Sequence, residues 1–229
     1  MQKIGRPSWR ASIDSDATLL HRALFIRDSC KLSVPPDSAN PPRLIGEIAD
    51  HSKDLSVALR TDAGVEWLSW WHDVVRCEVR EKTPPSPVSQ GNAQERARSH
   101  HAARLALFDW PELSALQSTP ALEQAARVSG DDALRFRNAA KLAVLEQLER
   151  REPPRPISAD LHPIADSLVE RLAVSPDRLN ATIEVLGVAG DWSYQPFPGA
   201  LLCSMSVAQD AEMIAPLIEA TFVSGIEEP

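Results

Sequence analysis

Residues 181–207 constrain this chain's fold more tightly than any other part, because they form its one long segment of residues that favour strand over helix. Apolar and β-branched side chains in 181–188 and 200–207, and the aromatic pair Trp192 and Tyr194, are separated by two turn signals. Ala189-Gly190-Asp191 supplies the positive φ of a tight reversal, and Pro196-Phe197-Pro198-Gly199 carries a turn-favouring Pro with Gly after it. Two reversals predict a three-stranded antiparallel meander. Its first strand (Ile183, Val185, Leu186, Val188) and third strand (Leu201, Leu202, Met205, Val207) are apolar on both faces for part of their length. A small sheet with such faces needs a helical cover. Asp210 is placed to cap a final helix through Met213, Ile214, Leu217, Ile218 and Phe222, with Gly225 to end it and Pro216 to kink it.

Upstream, the pattern is helix and Pro-rich connection. Residues 1–13 read as irregular. Asp14 or Asp16 can cap a helix containing Leu19, Leu20, Ala23, Leu24 and Ile26, and Val34-Pro-Pro-Asp-Ser-Ala-Asn-Pro-Pro42 ends it. Similar connectors recur at 83–91 and 153–156, without the constant period of a repeat. Residues 65–81 are the clearest helix. At about 100° per residue, Glu66, Ser69, Asp73, Arg76 and Arg80 make a narrow polar stripe. Trp67, Leu68, Trp70, Trp71, Val74, Val75, Cys77 and Val79 fill an arc of about 200°, which predicts burial on most sides, under the C-terminal sheet. Further helices are expected at 92–108, from Pro120 to Gly130, from Asp131 to about 149, and from Ser158 through Leu172, with a short turn at Ser175-Pro176. The expected fold class is α+β in a single domain over 1–229, with a helical body at 14–175 and a meander plus final helix at 181–225.

Composition narrows the function. The 229 residues carry a formal net charge of −8 with pI near 5.3. That balance argues against nucleic acid and anionic membranes, which need a basic face. Arg96, Arg98, Arg104, Arg135 and Arg137 are the residues from which a basic patch would have to be built. The first ten residues carry no apolar run of a signal peptide, and no stretch has the length of a membrane span, so a cytoplasmic protein is expected. Cys30, Cys77 and Cys203 are far apart and form no CxxC or Cys/His cluster. They read as reduced, mostly buried thiols, and neither a metal nor a cofactor is expected. The nucleotide, zinc-protease, nucleophile-elbow and EF-hand signatures are absent from the sequence.

The remaining candidates for chemistry are few. His72 borders the polar stripe, but Asp73 beside it points about 100° away and cannot orient it. His101 shares a helical face with Leu105 and Phe108, the pattern of a core histidine, and diverges from His100. Glu78 falls inside the apolar arc, where a carboxylate must be paired or protonated. It is either half of a Glu–Arg pair or a functional acid. Trp192, Tyr194 and the following Phe197 form the candidate binding surface, with packing on the helices as the plainer alternative. The expectation is a non-enzymatic accessory or adaptor protein that binds another protein or itself. The alternative is a hydrolase or isomerase using His72 or His101 with Glu78 and Asp191.

Overall fold

The computed structural model describes residues 9–149 and 157–227, apart from 16, 81–92 and 158. Four strands, β1 (Arg10–Asp14), β2 (Asn180–Leu186), β3 (Ser193–Tyr194) and β4 (Ala200–Ser204), form one mixed sheet in the order β1-β2-β4-β3. β1, β2 and β4 are parallel, and β3 alone runs antiparallel, against β4. This corrects both the three-stranded antiparallel meander and the irregular start expected for residues 1–13. The two reversals do occur, with Gly190 at φ +70° and Gly199 at φ +73°. After the first, however, the chain returns one place too far out, and β4 fills the slot left beside β2.

Parallel strands explain the two-faced apolar pattern, since helices cover both faces of such a layer. Ala181, Ile183, Val185, Leu201 and Cys203 face a core built with Ala165 and Leu168 of α5 (Leu161–Leu172), Val207 and Ala208 of α6 (Met205–Gln209), and Ile214, Ile218 and Phe222 of α7 (Ala211–Glu227). Leu186, Val188, Ala200 and Leu202 belong to the opposite core, shared with α1 (Thr18–Ser29), α2 (Val57–Val75) and the first half of α4 (Pro120–Glu149). Met205 and Val207, expected in a strand, begin α6, because the Ser204 side chain accepts from the Val207 N–H and starts a helix there.

Several helix boundaries differ from expectation for steric reasons. α4 is continuous through Gly130, where a Cβ would lie 2.2 Å from the Trp110 ring. That glycine admits an aromatic ring and terminates nothing. α7 likewise runs through Gly225, whose Cβ would stand 2.8 Å from the Asn180 carbonyl at the start of β2. Pro216 stays within α7, and both it and Glu212, whose carbonyl loses its helical donor, are exposed residues. Asp210 caps the helix by accepting from the Glu212 and Met213 N–H groups at 2.9 and 3.2 Å. α1 takes Ala17 as its N-cap residue, because Asp14 is used as the end of β1.

α2 starts eight residues earlier than the Trp-rich pattern, at a Ser56 cap accepting from the Leu59 N–H, and continues into a π-helical turn, Arg76–Arg80. Trp67, Trp71 and Val74 are fully buried in the core that also receives Leu186 and Leu202 of the sheet. On the polar stripe, Glu66 accepts from the Leu122 N–H at 2.7 Å, placing a carboxylate at the positive end of α4. α3 (Ala93–Leu107) packs near the π-helical turn. The connectors at 83–91 and 153–156 lie outside the described residues.

The first connector is the hub of the helical half. The Arg27 guanidinium, 5% exposed, donates to Asn40 Oδ1 and to the Pro41 and Pro42 carbonyls while pairing with Asp28 at 2.7 Å. Asp28 in turn accepts from the Leu44 N–H, and Leu44 bridges to Val188 just past β2.

Candidate functional site

The connector brings together residues that the sequence keeps more than a hundred positions apart. Asp37 accepts from the Ala39 N–H at 2.7 Å, a turn that presents successive carbonyls to two sides. On the inner side Trp71 Nε1 donates to the Ala39 carbonyl at 2.7 Å. On the outer side Trp192 Nε1 donates to the Ser38 carbonyl at 3.3 Å. Trp192 is itself anchored to β4, donating its backbone N–H to Ser204 Oγ at 3.2 Å and accepting from the Ser204 N–H at 2.9 Å. Ser206 Oγ holds the preceding turn through the Gly190 carbonyl at 2.6 Å.

Around this point stand four side chains. Trp192, just before edge strand β3, and Tyr194 within it have their rings stacked, 6.4 Å between centroids and 29° between planes. Both are half-buried. Burial, and then the charge of Asp37, push the Tyr194 phenol above its ordinary value. His72 Nε2 lies 4.0 Å from Asp37 Oδ2, with the two side chains 41% and 34% exposed. That is an electrostatic approach, beyond hydrogen-bond length. The site is therefore a shallow aromatic and acidic edge, with its floor formed by backbone carbonyls.

The other sequence candidates are elsewhere. Glu78 is fully buried in the π-helical turn and is ion-paired with Arg104 Nε of α3 at 2.6 Å. This is the buried, arginine-paired position that the apolar arc implied, although the turn that carries it is π-helical. His101 is exposed, as is Leu105 at 55%, so their shared face of α3 points to solvent and not into a core. Asp191 is exposed in the turn before Trp192, and Phe197, packed against the helical core, closes the next turn through its carbonyl to the Ala200 N–H. Thus Trp192 and Tyr194 stack on each other, Trp192 and His72 reach successive residues of the connector, Ser38 and Asp37, and Glu78 is paired elsewhere. Asp37 and Ser38 were missed because they sit inside a Pro-rich run that reads as punctuation. The available signal was an Asp-Ser pair between two Pro-Pro dipeptides, an Asx-turn pattern.

Among the described residues Cys30, Cys77 and Cys203 are buried thiols outside any disulfide. Burial raises Cys30 and Cys203, the latter to about 12. No group of three His, Cys, Asp or Glu side chains there is arranged to hold a metal ion. No described helix is long and apolar enough to cross a membrane. A cavity of about 460 Å³ between α2 and α3 is lined by Cys77, Ala103, Ala106, Leu107 and Ala115, with the mutually paired Asp73 and Arg76 at its rim. A smaller one of about 190 Å³ lies over Arg27, whose donors are already engaged in the connector. Of the arginines from which a basic patch would be built, Arg104 and Arg135 are tied to Glu78 and Asp132. The chain matches no protein family, and neither a curated protein nor a solved structure is significantly similar to it.

Proposed function

We propose that this protein is a cytoplasmic, non-enzymatic accessory subunit that docks another protein on the edge formed by β3 and the first connector. The observation that carries the reading is the half-exposed Trp192–Tyr194 stack at the start of a two-residue edge strand. Large amphipathic rings with a satisfied polar handle, held on a rigid strand, are the residues that dominate protein interfaces. The acidic net charge of −8 disfavours nucleic acid as the occupant. Native mass spectrometry of the protein isolated from its own cells tests this. Wild type is expected to retain a heterologous subunit or a second copy, and the Trp192→Ala/Tyr194→Ala variant, still folded, to lose it. Retention of the same subunit by the variant refutes the reading.

The approach of His72 to Asp37 favours a second reading, a hydrolase or isomerase in which His72 moves a proton. In that case His72→Gln removes turnover of a model ester or ketone while leaving partner retention intact.

A further inference from the structure

We infer that β1 is a self-complementary edge through which two copies of this chain pair antiparallel, joining their sheets into one. Among the described residues β1 is the outermost strand at its end of the sheet, with β2 on one side only. The phase of its backbone is set by the Arg10 N–H, which donates to the Leu179 carbonyl at 3.0 Å. Residues of a parallel ladder alternate in the side to which they bond. Arg10, Ser12 and Asp14 therefore turn their backbone groups to β2, and Ala11 and Ile13 turn theirs outward. Such an edge is commonly blunted by Pro, Lys or a bulge, and the run Arg10-Ala-Ser-Ile-Asp14, in unbroken register with β2, has none of these.

The occupant follows from how this run matches itself. An antiparallel copy centred on Ser12 sets residue 10 opposite 14 and residue 11 opposite 13. Ala11 and Ile13, whose backbone groups point outward, would then exchange hydrogen bonds with Ile13 and Ala11 of the second copy, and the non-bonded pair would fall at Ser12. Side chains alternate in the same register. Ala11 and Ile13, half-buried against the core that α5 and α7 build, would continue that core into the second copy. On the other face the exposed Arg10 would stand opposite Asp14 of the second copy, at both ends of the pair. Asp14 also lies in register with Glu184 of β2, so that guanidinium would arrive beside two neighbouring acids. A parallel copy in register would instead set Arg10 against Arg10 and Asp14 against Asp14. The antiparallel arrangement alone matches charge, apolar side chains and backbone groups, and it closes as a twofold dimer.

The inference does not rest on the docking reading, which concerns β3 at the opposite end of the sheet. Sedimentation velocity on the full chain tests it, and wild type is expected to run as a dimer. Ala11→Pro removes an outward N–H and no bond to β2, so it is expected to leave the circular dichroism spectrum unchanged while weakening the dimer about tenfold or more. Arg10→Asp and Asp14→Arg each set like charges together at both ends of the pair. Each is expected to be monomeric alone, and the two to form a dimer when mixed in equal amounts, because mixing restores opposite charges. Mixing repairs no defect that is merely structural. A monomeric wild type, a dimer that survives Ala11→Pro in a folded chain, no dimer in the mixture, or loss of the second copy in Trp192→Ala/Tyr194→Ala overturns the inference. A second copy kept by that double variant and lost by Ala11→Pro supports it, and leaves the β3 edge to be judged on a heterologous subunit alone.

Discussion

Two aromatic pairs flank the same short strap of chain, and they differ in what surrounds them. Trp67 and Trp71 of α2 stack at 5.3 Å and 11°, both fully buried, with indole N–H groups donating to the Ala23 and Ala39 carbonyls. Trp192, just before β3, and Tyr194 within it stack at 6.4 Å and 29°, half-buried, with Trp192 donating to the adjacent carbonyl, that of Ser38. The bonding is alike on both sides of residues 38 and 39. The inner pair has protein on every face and contributes to folding, whereas the outer pair keeps ring surface that a partner can cover. The difference teaches that aromatic composition does not identify a binding surface; the number of free faces does.

If the inner pair is the structural one, truncating it should have the largest effect. Trp71→Ala is expected to cost about 3–5 kcal/mol, from lost burial and the cavity left behind, and to orphan the Ala39 carbonyl. Urea titration followed by circular dichroism checks this, and a loss under about 1 kcal/mol breaks the comparison. Next is the strap itself. Arg27 lies over the Trp67 ring at 5.3 Å and holds the Asn40, Pro41 and Pro42 oxygens. Arg27→Met keeps the apolar stem but leaves Asp28 buried without its guanidinium, so about 3 kcal/mol should be lost. Hydrogen exchange at Ala39 and Leu44, whose N–H groups bond to Asp37 and Asp28, should accelerate in the same variant.

β3 also has a reporter of its own. Cys203 of β4 pairs with Ser193, and burial holds its thiol up to about 12. The folded state therefore keeps a proton that the unfolded chain releases above its ordinary value of 9.0. Stability from this group is intact below pH 9 and declines as pH rises towards 12, by at most about 1.4 kcal/mol per unit. Denaturant midpoints measured across that range in wild type and Cys203→Ala should converge as the group's contribution disappears. The smallest stability effect belongs to the outer pair. Tyr194→Ala should cost no more than about 1 kcal/mol, yet abolish partner retention. A cost comparable with that of Trp71→Ala would assign both pairs to the core.

The helical half was legible because apolar period survives without knowledge of the neighbours. The arc of Trp67, Trp70, Trp71, Val74 and Val75 is buried as its periodicity requires. Glycines misled because sequence records only that a side chain is missing. Gly130 and Gly225 read as helix ends, although the structure uses their missing Cβ for the Trp110 ring and the Asn180 carbonyl. The sheet misled for a related reason. Gly190 and Gly199 do reverse the chain, but a reversal does not say which strand lies alongside. Ile183 and Val185, facing one core while Leu186 faces the other, carried the better signal, that of a parallel strand between two helical layers. For the site, Trp192, Tyr194 and His72 stood out by residue type. Asp37 and Ser38, reached by His72 and Trp192, became visible only when the connector was seen folded against the sheet's end.

The central claim is that the β3 edge is where a partner sits. A photo-crosslinking residue replacing Ser38, exposed and bonded through its backbone carbonyl to Trp192 Nε1, addresses it inside cells, with Val57 on α2, 70% exposed, as the comparison position. One discrete adduct is expected from position 38, suppressed by Trp192→Ala/Tyr194→Ala, and none from position 57. Identical adducts from both positions, or none from 38 while the protein remains folded and abundant, would overturn that placement.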